Sequence, residues 1–157
     1  MVKINIVCVG KIKEDYFASG VQEYIKRLNR FAKVSVIEVK EKNIVQDPSQ
    51  GEILEILKRE GEEIKKHLSG HVIAMAIEGE KVSSESFSKK LKNIKDKQGE
   101  ITFIIGGSYG IDSSVKDLAN EKVSFSAMTF PHTLMRVILV EQIYRAFTIL
   151  EDGKYHK

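Results

Sequence analysis

Two short runs in the second half of the chain carry residue types that binding sites use. The first is Gly106-Gly107-Ser108-Tyr109-Gly110, directly after the apolar run at 101–105. Glycines at the end of a buried strand let main-chain N–H and C=O groups approach a ligand with no Cβ in the way. The run is neither a G-x-G-x-x-G fingerprint nor a phosphate loop, because no Gly-Lys-Ser/Thr follows. It suits a nucleotide-like ligand held by main chain rather than by its phosphates; the plainer alternative is a tight strand-to-helix turn. The second run is Ser124-Phe125-Ser126-Ala127-Met128-Thr129-Phe130-Pro131-His132. Phe130 and Met128 can flank a flat purine while the hydroxyls bind its polar edge; the alternative is a strand-end loop packing two apolar side chains into the core. Met75 and Ile77 can complete an apolar slot, although core packing is the default for both.

Four further residues could handle protons or anions. Pro131 starts a helix, and at about 100° per residue His132 and Arg136 point the same way from its first turns, beside the two loops. The helix dipole there opposes imidazolium formation and favours an anion. Near the C-terminus, Tyr155 and His156 are capable of proton transfer, though a frayed tail is the bland reading. Glu141 and Arg145 are spaced for an i,i+4 ion pair on the opposite side of the same helix. Lys11, Lys13, Lys26, Arg27, Arg30 and Lys33 could meet phosphate, with solvated charge as the default. His67 and His71 are isolated and read as structural. No His, Asp or Glu grouping has metal-ligand spacing, and no nucleophile elbow or triad appears.

The elements that position these residues alternate. Strands are expected at 2–9, 34–39, 71–77, 101–105 and 122–126, and helices at 14–30, 51–68, 83–95, a short one capped by Asp112, and one from Pro131 to about Leu150. Gly61 weakens the second helix. Residues 40–50 read as a loop. This pattern predicts an α/β fold, a mostly parallel sheet with helices on both faces. Ligands then sit beyond the carboxyl ends of the strands, at loops 78–82, 106–111 and 127–131. The last helix is apolar in nearly every direction, so a subunit interface is its expected cover.

The 157 residues form one expected domain, 1–157, with 42% hydrophobic and 30% charged residues. That excludes wholesale disorder. The single cysteine, Cys8, excludes an internal disulfide and a cysteine zinc cluster. A net charge of +3 permits an RNA partner without demanding one. No apolar run approaches the roughly 18 residues of a membrane span; no membrane association and a cytoplasmic location are the expectation.

Taken in order, the motifs resemble the ribosomal RNA large-subunit methyltransferase H family of the SPOUT (α/β-knot) methyltransferases. They are Gly10-Lys11, Ile105-Gly106-Gly107-Ser108-x-Gly110, the run Ser124 to His132, Arg136-Val137-x-x-x-Glu141-Gln142-x-Tyr144-Arg145-Ala146-Phe147, and Tyr155-His156-Lys157. The resemblance implies a homodimer, a C-terminal trefoil knot, and S-adenosylmethionine as methyl donor without a metal. Its substrate is a pseudouridine in a hairpin of 23S rRNA, methylated at N3 in the assembled ribosome. Carried over by position, the donor contacts are Met75, Gly106, Phe125, Ser126, Ala127, Met128, Thr129 and Phe130. His132, Arg136, Tyr155 and His156 are the catalytic candidates, with the tail reaching the partner subunit's site. The chain departs from the family pattern at 127, alanine where lysine is expected, which leaves that contact to backbone. The alternatives are a non-enzymatic RNA- or ribosome-binding factor that keeps the fold, and an α/β enzyme using another nucleotide cofactor.

Overall fold

The computed structural model describes residues 1–41, 46–151, 155 and 156. Its elements are β1 (Val2–Val9), α1 (Asp15–Leu28), β2 (Ala32–Val39), α2 (Gln50–Lys65), β3 (His71–Lys81), α3 (Ser84–Lys97), β4 (Glu100–Ile105), α4 (Ser113–Leu118), β5 (Glu121–Ser124) and α5 (His132–Leu150). The five strands form one sheet in the order β2-β1-β4-β3-β5, and every pairing is parallel. Parallel neighbours need crossovers, so helices cover both faces and the inner strands are mostly apolar, with Asn5 and Thr102 buried in them and hydrogen-bonded to each other. On one face α1, α3 and α5 pack over Ile4, Ile6, Ile73 and Phe103. On the other, α2 and α4 pack over Val7, Val9, Ala74 and Ile104. Among the described residues, no helix is long and apolar enough to cross a membrane.

Local chemistry sets the helix starts. Ser49 and Ser83 each form a capping box, with Glu52 and Ser86 respectively, and the Asp112 carboxylate accepts from the Ser114 N–H. Three expectations are corrected. The second helix ends at Lys65 rather than 68; within it Gly61 is buried, and a Cβ there would meet Asp112 Cβ and Val115 Cγ2 at 3.1 Å. The missing side chain is what lets α2 lie against α4. Residues 78–81 are not loop but the end of β3, which continues past a register shift between Met75 and Glu80, both opposite Val123. A Cβ at Gly79 would lie 2.6 Å from the backbone at Lys122 and Val123, so the bulge closes only on glycine. The fifth strand ends at Ser124, two residues short of expectation. Of the expected 40–50 loop, residues 42–45 lie outside the described residues.

Helix α5 is tied to the middle of the sheet by one buried side chain. Arg136 is 1% exposed. Its Nη2 donates to Val9 O at 2.8 Å and Gly10 O at 2.7 Å, and its Nη1 pairs with Glu38 Oε2 at 2.8 Å. The chain leaving β5 at the sheet edge must therefore cross the carboxyl ends of β3 and β4 to reach β1. Arg136→Met keeps bulk but strands two carbonyl acceptors, each costing ~1–3 kcal/mol when buried unpaired. Urea unfolding is expected to show a loss on the order of 2–4 kcal/mol; a loss below ~0.5 kcal/mol would contradict the tether.

Candidate functional site

A cavity of about 800 Å³ opens where β3, β4 and β5 end. This is the position that a doubly wound parallel sheet reserves for ligands. The turn after β4 forms one wall. Gly110 N–H donates to Gly107 O at 3.1 Å, and Gly110 takes φ +92. A Cβ at Gly106 would lie 2.3 Å from Gly110 O, so the main chain here folds back on itself with no room for a side chain. The run after β5 forms the facing wall. Ser124 Oγ donates to Ser126 O and Ser126 Oγ accepts from Met128 N–H, both at 3.0 Å, which shapes the loop. Phe125 rests edge-on against Phe87 with ring centres 5.1 Å apart. Met128 is 72% exposed at the rim.

Of the residues expected to contact a donor, Met75, Gly106, Phe125, Ser126, Met128, Thr129 and Phe130 line this cavity; Ala127 does not and is exposed. His132 lines it too. Burial, followed by the nearby Arg136 charge, holds the His132 imidazole below its ordinary range, against the opposing pull of Glu41 and Glu14. His132 is thus neutral at physiological pH. Its Nδ1 is buried with no hydrogen-bond partner among the described residues, as are Glu14 Oε2 and Arg136 Nε.

The other three catalytic candidates lie elsewhere in this chain. Arg136 does not line the cavity; its guanidinium is occupied by β1 and β2. Tyr155 donates to Glu141 Oε2 at 2.9 Å, sits 3.2 Å from the Tyr24 hydroxyl and packs edge-on against Tyr144. Burial and those hydrogen bonds push its phenol well above the usual range, so at neutral pH it keeps its proton and acts as a hydrogen-bond donor. His156 bridges Arg145 at 3.0 Å and Glu85 at 2.8 Å. Lys154 and Lys157 of the tail lie outside the described residues. The Glu141–Arg145 pair forms as its spacing predicts, at 2.7 Å.

Sequence reasoning missed Lys116 and Glu78, which pair at 2.5 Å in the cavity wall. They lie on α4 and the β3 bulge, and nothing local marks that pairing. It also missed Glu14, whose only signal is a glutamate at a helix start where Ser, Thr, Asp or Asn is preferred.

A family model described as "Predicted SPOUT methyltransferase" matches residues 2–156. The chain belongs to the SPOUT methyltransferase family. Curated relatives in this family extend over its full length. The ribosomal RNA large subunit methyltransferase H of Leuconostoc mesenteroides is 46% identical, covering 98% of this chain and 99% of its own. That of Streptococcus equi subsp. zooepidemicus is 45% identical, covering 99% of both. Among solved structures, one described as a "probable methylase family protein" from Haemophilus influenzae Rd KW20 matches 98% of this chain and 70% of its own, with a TM-score of 0.53 at 11% identity, a likeness of fold alone. The parallel sheet with helices on both faces is the SPOUT methyltransferase arrangement expected from the motifs.

A methyl group at position 106 tests the cradle. Gly106→Ala forces the turn open, and titration calorimetry with S-adenosylmethionine is expected to show affinity reduced at least roughly tenfold, or ~1.4 kcal/mol. Unchanged affinity would contradict a main-chain cradle at this turn.

Proposed function

We propose that this protein transfers a methyl group from S-adenosylmethionine to N3 of a pseudouridine in the large-subunit rRNA of the assembled ribosome. The observation that carries this reading is the meeting of the two sequence runs, 106–110 and 124–132, in one cavity beside a neutral histidine, in a chain whose full-length relatives are rRNA methyltransferases. The residues present fit an adenosyl group. Met75, Phe125 and Phe130 supply apolar walls, Ser126 and Thr129 supply hydroxyls, and the glycine turn presents bare main chain.

When bound, the donor supplies a methyl group already activated on a sulfonium. The chain's task is then to align, exclude water and receive a proton. Alignment of two held reactants contributes on the order of 7–11 kcal/mol at best. His132 meets the cavity uncharged and can accept a hydrogen from the imide edge of the base. Arg136 acts at a distance, by fixing the first turns of α5 that carry His132.

The homodimer and the composite site rest on α5. Leu134, Ile138, Glu141 and Arg145 follow one another at helical spacing along one side of it, partly exposed in the single chain. Leu134 and Ile138 are absent from the apolar residues packed on the core. This stripe starts at the same end of α5 as His132, on the other side of the helix, and ends where Tyr155 and His156 are held to Glu141 and Arg145. At 1.5 Å per residue, Glu141 lies roughly 14 Å along the helix from His132, so the tail sits far from its own cavity. Two copies pairing this stripe antiparallel bring the tail of one to the cavity mouth of the other. The route of the chain from β5 to β1 across the ends of β3 and β4 supports the threaded C-terminal segment that the family implies. Lys11, Lys13 and Lys33 remain exposed and available to RNA phosphate.

Mass-spectrometric mapping of rRNA from cells lacking this protein is expected to show one large-subunit pseudouridine without its methyl group; an unchanged map would overturn the reading. Deleting residues 155–157 is expected to abolish methylation of ribosomes while the dimer and donor binding persist. Retained methylation in that folded dimer would remove the tail from the site.

A further inference from the structure

Three buried side-chain atoms lack a hydrogen-bond partner among the described residues: Glu14 Oε2, His132 Nδ1 and Arg136 Nε. They do not belong to scattered sites. His132 and Arg136 are one turn apart on α5, Arg136 reaches the end of β1 at Val9 and Gly10, and Glu14 follows in the β1–α1 connection. Each orphaned buried polar group costs about 1–3 kcal/mol. Three of them converging on one corner point to a shared partner, and a buried water takes two to four such contacts.

Glu14 stands out on a second count. It occupies the N-cap of α1 with extended backbone, φ −82 and ψ 121, yet its side chain makes no capping bond. The caps of α2, α3 and α4 all do. A carboxylate that forgoes the free N–H groups of its own helix and is instead partly buried beside a cavity histidine breaks a local rule where a site begins.

Resting on the methyl-transfer reading, we propose that Glu14 positions His132 through one bridging water, so that Nδ1 carries the proton and Nε2 faces the cavity to take the N3 proton of the base. The water accepts from Arg136 Nε–H and His132 Nδ1–H and donates to Glu14 Oε2. The carboxylate behind the water favours the proton on Nδ1 and stabilises the imidazolium that forms. The charged groups acting on this ring are Arg136 on its own helix, Glu41 after β2 and Glu14 before α1. Burial and Arg136 keep the ring neutral at rest; the two carboxylates ease its protonation during turnover. In the step, the N3–H bond breaks and its proton passes to His132 Nε2. The N3 electron pair bonds the methyl carbon, and the carbon–sulfur pair stays on sulfur, which becomes a neutral thioether. One positive charge has moved from sulfur to imidazole, and it leaves to solvent afterwards.

The test is Glu14→Gln in the full chain with S-adenosylmethionine present, read two ways. Nitrogen-15 spectra of the four histidines are expected to show His132 as the Nδ1–H tautomer in the wild type. In the variant, a tautomer mixture and a lower titration midpoint are expected. On ribosomes, turnover requires neutral His132 and falls as pH drops through its titration. Removing an anion lowers that midpoint, so the acidic limb moves to lower pH. The plateau kcat is expected to fall roughly tenfold, part of the 10²–10⁴ that a positioned acid–base group contributes, with KM held within about twofold. Glu14→Asp, which keeps the charge, is expected to retain the tautomer and recover part of kcat. The exposed neighbour variant Asp15→Asn is expected to change neither readout. An unchanged His132 tautomer and midpoint in Glu14→Gln overturns the positioning. A shifted spectrum with an unmoved pH limb overturns the base role. Wild-type protein that methylates no ribosome sinks the functional reading, while the spectra still decide whether Glu14 governs His132.

Discussion

The guanidinium of Arg136, closed off from solvent between three elements, sets the geometry on which everything else depends. It joins the carbonyl end of β1, the carboxylate of Glu38 on β2 and the first turns of α5. Charge-assisted bonds to two carbonyls and a carboxylate satisfy most of its donors, which is the condition for an arginine to be buried at all. Because α5 begins there, the run after β5 is drawn across the ends of β3 and β4 and becomes a wall of the cavity. The same anchor places His132 at that wall, where burial, and after it the Arg136 charge, hold the imidazole below its ordinary range. One buried cation therefore acts as a structural pin for α5 and as a charge acting on the neighbouring histidine.

Helix α5 links this corner to the rest of the proposed machinery. Its buried side, Leu139, Val140, Ile143 and Phe147, is held over the sheet between α1 and α3. Its other side carries Leu134 and Ile138 near the cavity and Glu141 and Arg145 near the tail. A helix that is apolar on more sides than one chain can cover is consistent with a second copy. Tyr155 and His156 are locked into a network of Glu141, Arg145, Tyr24, Tyr144 and Glu85, which presents them in a defined place to whatever docks on that stripe.

Much of this architecture was legible in the residues. Parallel strands buried on both faces read as mostly apolar runs, and 2–9 and 101–105 do so, interrupted only by Lys3, Asn5 and Thr102. The amphipathic period of α1 marked that helix to within two residues at each end, and Asp112 marked the start of α4. The glycine and hydroxyl-aromatic runs stood out because strand ends facing a ligand need bare or small main chain. What stayed hidden depends on contacts between distant residues. The bulge at Gly79 is decided by register against β5, which leaves no periodic trace. Gly61 shows its packing role only when α4 is laid against it. Arg136 points the same way as His132 on a helical wheel, and only the position of β1 shows that the guanidinium turns into the protein rather than to RNA. Lys116 takes its meaning from Glu78, a partner that no spacing rule connects to it.

The central claim is that the cavity at the ends of β3, β4 and β5 holds the methyl donor with its reactive end toward His132. A crystal structure of the dimer with S-adenosylmethionine tests it most directly. The account predicts the adenine between the glycine turn at 106–110 and the run at 125–130, with the methyl group directed to the side of the cavity that carries His132. A donor bound at any other surface, or bound here with its methyl group pointing away from His132, would contradict it.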